Sequence, residues 1–378
     1  MTDRKTRQIL LTPGPLTTSA TVKRAMLDDW GSRSPGFIEM TARVRARLAA
    51  LAGAGDTHVC VPIQGSGSFA VEATLGTLVP REGARVLVLV NGAYGRRIAR
   101  MLEVMGRDCA TCETAEDAAC DAAALARRLA EDPAITHVAA VHCETTSGIL
   151  NPVAELAAAA AEAGRALILD SMSGFGALPL DLSALPCRAV VASANKCLEG
   201  VPGLAFALIE KEALAAAAGN AHSLSLDLHD QWQALERTGQ WRFTPPTHAL
   251  AALDRALDEL EAEGGAAARL ARYRRNCDAL RAGLREIGFA LFLEDALQAP
   301  VIVTVRMPGD ARFDFERMYR RLAARGVVLY PGAVTEVPSF RVGCIGRIDE
   351  TDIARALAEI ADAVAAMGID AAGLKPKG

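Results

Sequence analysis

Apolar and polar positions along this 378-residue chain follow two rhythms. Short runs that are apolar nearly throughout, at 58–63, 85–90, 136–142, 166–169 and 189–192, predict buried strands. Stretches with apolar residues every three or four positions predict amphipathic helices at 21–29, 40–51, 96–105, 122–130 and 152–163, and another ending at Leu78. Strands interleaved with helices predict an α/β unit, a mostly parallel sheet with helices on both faces. A further strand at 203–209 reads as the hairpin partner of its predecessor. Prolines exclude helix from residues 10–15, which read as an extended arm. A long helix at 248–263 makes a natural connector. Beyond it come helices at 269–286, 313–324 and 351–366, with short strands at 301–305, 327–329 and 340–342. The chain therefore divides into an arm (1–20), a large domain (21–255) and a small C-terminal α+β domain (256–378). Alanine clusters at 157–161 and 215–218 read as helix filler, and the tail 375–378 reads as frayed.

Composition narrows the classes. Hydrophobic residues make up 51% of the chain, enough for a sizeable core, and the net charge of −4 argues against a nucleic-acid partner. No apolar run approaches membrane-spanning length, and the start, Met1-Thr2-Asp3-Arg4-Lys5, lacks the apolar segment of a secretory leader. The nine cysteines are scattered singly. Cys109 and Cys112 form a C-x-x-C without a second pair or a nearby histidine, so they read as plain thiols rather than a metal site. The expectation is a cytoplasmic enzyme with no metal, no membrane and no nucleic acid.

Candidate chemistry gathers where apolar runs end. The chain has six lysines. Only Lys196, in Ser193-Ala194-Asn195-Lys196, directly follows an apolar strand and enters a Gly/Pro-rich loop. A desolvated ammonium there has a lowered pKa and can attack a carbonyl as an amine. The run at 166–169 ends in Asp170, and a strand-end Asp followed by a strand-end Lys suggests an aldehyde cofactor whose ring nitrogen the carboxylate keeps protonated. Gly65-Ser66-Gly67-Ser68 opens a helix and makes a phosphate seat. Gly65, Gly67 and Ala70 also fit the dinucleotide fingerprint of a dehydrogenase, but the next strand ends at Asn91-Gly92 without the carboxylate that a ribose needs. Tyr94, in a Gly-bounded loop, could lie on a planar cofactor. A hydroxyl in Thr145-Thr146-Ser147-Gly148 could reach its ring oxygen. Arg242, in Trp241-Arg242-Phe243-Thr244-Pro245-Pro246, suits an anion, and Arg341 carries a planar fork for a substrate anion. Each of these has an ordinary structural reading when taken singly: His142 as a satisfied strand-end histidine, Tyr94 as a turn tyrosine, Asp170 and Lys196 as an ion pair.

Taken in order, these pieces resemble the class V branch of the fold-type I pyridoxal-phosphate aminotransferases. The resemblance runs from Leu10-Leu11-Thr12-Pro13-Gly14-Pro15 through Gln64-Gly65-Ser66-Gly67-Ser68, Asn91-Gly92-Ala93-Tyr94-Gly95, Asp170-Ser171-Met172-Ser173, Ser193-Ala194-Asn195-Lys196-Cys197 and Trp241-Arg242-Phe243-Thr244 to Phe340-Arg341-Val342-Gly343. It implies a seven-stranded sheet, pyridoxal 5'-phosphate, and a homodimer with shared active sites. Lys196 resembles the Schiff-base lysine and Asp170 the partner of the ring nitrogen. Tyr94 resembles the stacked ring, Ser66, Gly67 and Ser68 the phosphate cup, with Thr146 near the phenolic oxygen, Met172 beside the ring and Asn195 beside the phosphate. Arg242 and Thr244 would reach the phosphate of the neighbouring subunit. Arg341 would clamp the substrate anion under an arm formed by Thr12, Pro13 and Gly14. The implied reaction moves the amino group of 2-aminoethylphosphonate to pyruvate. Gly31-Ser32-Arg33-Ser34-Pro35 departs from that pattern and is more typical of alanine– and serine–glyoxylate relatives, which stand as the alternative. A cysteine desulfurase fits less well, because its branch places histidine where Tyr94 stands.

Overall fold

Segments that are apolar at every position become the interior of one sheet. In the computed structural model, which describes residues 7–330 and 335–376, Ala166–Asp170, Ala189–Ser193 and Leu204–Glu210 are buried almost throughout. The expectations for residues 1–5 and for the last two positions of the tail lie outside the described residues. The seven-stranded sheet runs in the order His58–Gln64, Leu204–Glu210, Ala189–Ser193, Ala166–Asp170, Ile135–Val141, Arg85–Val90 and Asp108–Glu113. Only Leu204–Glu210 runs against its neighbours; the remaining pairs are parallel.

Successive side chains point to opposite faces of each strand, so the sheet carries an apolar layer on each side. Leu87, Leu89, Val138, Leu167, Leu169, Val190 and Phe206 pack on one side with residues of the helices Pro35–Leu51 and Thr247–Glu263. Val86, Val88, Val90, Ala139, Ile168 and Val191 pack on the other with Gly67–Leu78 and Ala93–Val104. Parallel strands joined through helices bring their carboxyl ends to one edge, and that is where an α/β sheet places its ligands.

The C-terminal part has a separate core. Ile302–Arg306 pairs antiparallel with Ser339–Gly343, setting Thr304 opposite Arg341. The helices Gly265–Ile287, Phe315–Ala324 and Glu350–Ala365 accompany them. Ile9 and Leu11 of the arm are buried in this core beside Val303, Phe340 and Val342, and Ile9–Leu10 pairs in parallel with Val327–Val328.

Three elements differ from expectation, each for a physical reason. The helix expected at 21–29 is only Ala20–Arg24; Asp28 and Asp29 would put carboxylates at its negative end. The helix expected from residue 40 begins at Pro35, the first helical position, where a fixed φ favours helix and the missing N–H costs nothing. Asp108–Glu113 is an edge strand although its sequence is polar. Residues three apart on a strand face opposite ways. Accordingly Cys109 packs with one apolar layer and Cys112 with the other, and both are free thiols.

Candidate active site

The sheet brings Asp170 and Lys196 together from adjacent strands. Asp170 ends its strand opposite Val191, and Lys196 stands three residues beyond Ser193. The Lys196 side chain keeps some exposed surface, but its ammonium lies deep among protein atoms. Burial lowers its pKa to about 8, while Asp170 favours the charged form and Arg341 opposes it. A carboxylate and a guanidinium therefore both lie within electrostatic reach of the amine. No hydrogen bond or ion pair ends on Lys196 Nζ among the described residues. Asp170 is buried, and its carboxylate is pushed up to about 6 chiefly by desolvation. Among the described residues its one hydrogen bond comes from Met172 N, donating to Oδ1 at 2.9 Å. Lys196 and Arg97 pull its pKa down from a distance, but neither forms an ion pair with it, and desolvation prevails.

A pH prediction follows. The rate at which an amine-reactive reagent labels Lys196 in the cofactor-free protein rises with pH and reaches half its maximum near pH 8, because only the neutral amine reacts. Peptide mapping across a pH series checks this; a midpoint near the 10.5 of ordinary lysine contradicts it.

Gly67, Ser68, Tyr94, Asp170 and Met172 line one small cavity of about 30 Å³ together with Arg97. Ser66 caps the helix Gly67–Leu78 without a side-chain hydrogen bond; Phe69 N donates to Ser66 O at 3.0 Å, which leaves Gly67 N and Ser68 N open to an anion. Gly67 lets the Met172 thioether come close: a Cβ there would push that flexible side chain aside. A wider cavity of about 500 Å³ opens at the other ends of the strands, around Arg165, Cys187 and Arg188, and contains no candidate residue.

Tyr94 is not in a loop. It sits in the first turn of Ala93–Val104, and the cause is a long-range cap. The carboxylate of buried Glu144 accepts from Tyr94 N at 3.1 Å and Gly95 N at 3.3 Å, and Thr146 Oγ1 accepts from Ala93 N at 2.9 Å. Thr146 Oγ1 in turn donates to Glu144 Oε1 at 2.5 Å. Its single proton is thus engaged. The neighbouring Thr145 hydroxyl makes no hydrogen bond with a described residue, although Thr145 O accepts from Arg341 Nη1 at 2.9 Å. Sequence reasoning missed Glu144. The only available signal was an acidic residue after an apolar strand. His142 has a structural role: its Nδ1 lies 2.9 Å from Ser171 Oγ, and burial pushes its pKa down to about 4.

Arg341 is buried on the Ser339–Gly343 strand. Its guanidinium stacks 4.7 Å from the Tyr330 ring centroid, and its buried Nε has no partner. Burial lowers the pKa of the guanidinium, and the Tyr94 side chain, within hydrogen-bonding reach, opposes that shift. Thr12 and Pro13 are buried, and Thr12 O presses on Gly343. Gly14, at φ +124°, brings the arm against the lysine: a Cβ there would sit 2.5 Å from Lys196 Cδ and 2.9 Å from Asn195 O. Arm, amine and guanidinium thus converge.

Arg242 and Thr244 do not join this group. With Ser32, Arg33, Trp241, Phe243 and Pro245 they line a separate open cavity of about 310 Å³. Arg242 is held by Asp230 at 3.3 Å and Leu224 O at 3.1 Å, and Phe243 beside it is 42% exposed.

Comparison with known proteins agrees with this geometry. The profile of the family described as Aminotransferase class-V matches residues 18–345. The chain is 54% identical over 361 residues to the 2-aminoethylphosphonate–pyruvate transaminase of Pseudomonas fluorescens, covering 96% of this chain and 98% of that one. It is equally similar to the 2-aminoethylphosphonate–pyruvate transaminase 2 of Burkholderia lata, over 96% of both chains. Among solved structures, pyridoxamine–pyruvate aminotransferase from Mesorhizobium loti superposes with a TM-score of 0.87 at 26% identity, over 97% of this chain and 95% of that one.

Proposed function

The chain belongs to the class-V aminotransferases, and from that premise we propose that it transfers the amino group of 2-aminoethylphosphonate to pyruvate, giving phosphonoacetaldehyde and alanine. One observation carries the chemistry: a desolvated Lys196 amine, free of hydrogen bonds among the described residues, within electrostatic reach of both Asp170 and Arg341. A dehydrogenase reading leaves that arrangement without a use.

The residues fit pyridoxal 5'-phosphate. Asp170 is a desolvated carboxylate with no ion-pair partner among the described residues, Gly67 N and Ser68 N at the start of the helix Gly67–Leu78 are open, and the two meet in one cavity with Tyr94. Bound there, the group supplies an aldehyde that captures amines and a protonated ring that takes up the electron pair left on the substrate carbon. Ser66, Gly67, Ser68 and Asn195 would hold its phosphate. Tyr94 and Met172 would lie beside its ring, with Asp170 as the partner of the ring nitrogen. Thr146 supports Tyr94 through Glu144 and Ala93, leaving Thr145 as the hydroxyl available to the ring oxygen. Lys196 Nζ would take the proton from the amine-bearing carbon of the donor and pass it to the aldehyde carbon of the group, then carry it the other way, onto the carbonyl carbon of the acceptor, in the second half-reaction. Arg341 pairs in turn with the donor's phosphonate and the acceptor's carboxylate, both of which suit a guanidinium fork. Thr12, Pro13 and Gly14 keep water from the amine. We assign Arg242 and Thr244 to the site of a second copy, which makes the working unit a homodimer. The nine free thiols suit a reducing cytoplasm.

The experiment loads the protein with pyridoxal phosphate and follows alanine formation from 2-aminoethylphosphonate and pyruvate. Alanine or serine with glyoxylate serve as competing pairs. The phosphonate pair is expected to be fastest by about tenfold or more; faster exchange with glyoxylate, and none with the phosphonate, overturns the assignment.

A further inference from the structure

We propose that Glu199 is a positioning residue for this reaction, fastening the loop that carries Lys196 and the strand that carries Arg341 to a single helix. The proposal rests on the roles given above to those two residues. The helix is Gly265–Ile287. Arg269, Arg272, Tyr273 and Asn276 are spaced to share one of its faces, and they grip both sides.

Toward the lysine, Arg269 Nη1 donates to Cys197 O at 2.9 Å. Arg272 Nη2 and Tyr273 Oη donate to Glu199 Oε1 at 2.7 and 2.6 Å. Glu199 N donates to Lys196 O at 2.8 Å, so the carboxylate is one tight turn from the nucleophile. Toward the anion clamp, Arg272 Nη1 donates to Gly346 O and to Ile348 O. Tyr273 Oη accepts from Gly346 N at 3.3 Å, and Asn276 Nδ2 donates to Cys344 O at 3.2 Å. Cys344 directly follows the strand of Arg341. Arg269 and Asn276 are fully buried and Glu199 nearly so. Glu263, bonded to both arginines, brings the cluster to two carboxylates and two guanidiniums.

Two arguments favour positioning over simple adhesion. A buried ion cluster is a weak source of stability compared with well-packed apolar side chains, while its fixed hydrogen-bond geometry enforces one register. Moreover, Glu199 has φ +59°, the one positive value outside glycine among the described residues. Such strain persists where the surroundings over-determine it, and it concentrates at functional sites. A glycine would serve the turn at less cost; the carboxylate is what the position gains.

The test compares wild type, Glu199→Gln and Tyr273→Phe as pyridoxal phosphate-loaded enzymes. It measures kcat, thermal stability and the pH midpoint of the bound cofactor's visible absorbance. We expect kcat to fall about tenfold in Glu199→Gln and about threefold in Tyr273→Phe, since small misplacements of reacting groups are costly. The absorbance midpoint should rise by about half a unit in Glu199→Gln, and by less in Tyr273→Phe. A loosened loop admits water to the Lys196 nitrogen, and hydration favours its charged form. Wild-type kcat and midpoint in variants that have lost only thermal stability overturn the proposal, as does a lowered kcat with an unmoved midpoint. Should Glu199→Gln fail to fold, Tyr273→Phe decides by the same criteria. A wild-type enzyme that does not transaminate refutes the reaction instead, so the two failures are distinguishable.

Discussion

Lys196→Ala brings transamination down to background, about a thousandfold or more below wild type, under conditions where wild type converts 2-aminoethylphosphonate and pyruvate. The size of the effect follows from position. Among the described residues no other lysine follows a strand at the edge where Asp170, Tyr94 and the Gly67–Leu78 helix meet. The amine both captures the cofactor and moves the substrate proton, so its removal deletes two functions. The loss should not come from unfolding, because Lys196 Nζ makes no hydrogen bond or ion pair among the described residues and removing a desolvated ammonium relieves a burial cost. Alanine formation measured beside circular dichroism checks both parts. Activity within about tenfold of wild type would contradict the assignment.

Asp170→Asn is the second large effect, a loss in kcat of about a hundredfold or more, or about 2.7 kcal/mol in the barrier. The amide has nearly the same shape, and its oxygen can still accept from Met172 N, so the strand end should hold. What disappears is the negative charge. The folded chain keeps that carboxylate desolvated and without an ion-pair partner among the described residues, and desolvation raises its pKa to about 6 against the pull of Lys196 and Arg97. A ring cation beside it supplies the missing partner and draws the pKa back down. The neutral amide cannot hold the ring nitrogen protonated, so the electron pair released at the substrate carbon has nowhere to go. Asp170→Glu keeps the charge but displaces it, and should recover only part of the rate. Steady-state kinetics of the three proteins decide; an Asp170→Asn enzyme with wild-type kcat would remove Asp170 from the chemistry.

Much of this was legible in the sequence because the relevant signals are local. Runs such as 166–169 and 189–192 are apolar throughout, so they had to be interior strands, and their ends placed Asp170 and Lys196 at one edge. The arm 10–15 was legible from its prolines. What escaped was set by distant contacts. The start of Ala93–Val104 depends on Glu144 and Thr146, some fifty residues away in the chain. Local reading therefore left Tyr94 in a loop and Glu144 unremarked. The Asp108–Glu113 strand is polar because it is an edge, and the pattern that betrays buried strands is weak there. The place of Thr146 near the ring oxygen comes from resemblance; its bond to Glu144 is a distant contact that no local pattern shows. The cluster around Glu199 joins residues about seventy positions apart, and nothing local announces it. Arg242 reads as an anion ligand from its own stretch, but its reach to a neighbouring subunit, with that of Thr244, comes from resemblance, and within one chain the two stand apart from Lys196.

The most direct test of the central claim is to load the purified protein with pyridoxal phosphate, reduce it with borohydride, digest it and locate the retained cofactor by mass spectrometry. The account predicts the modification on the peptide containing Lys196, about one per chain, and abolished in Lys196→Ala. Modification spread over the other lysines, or a Lys196 peptide of unchanged mass, would contradict it.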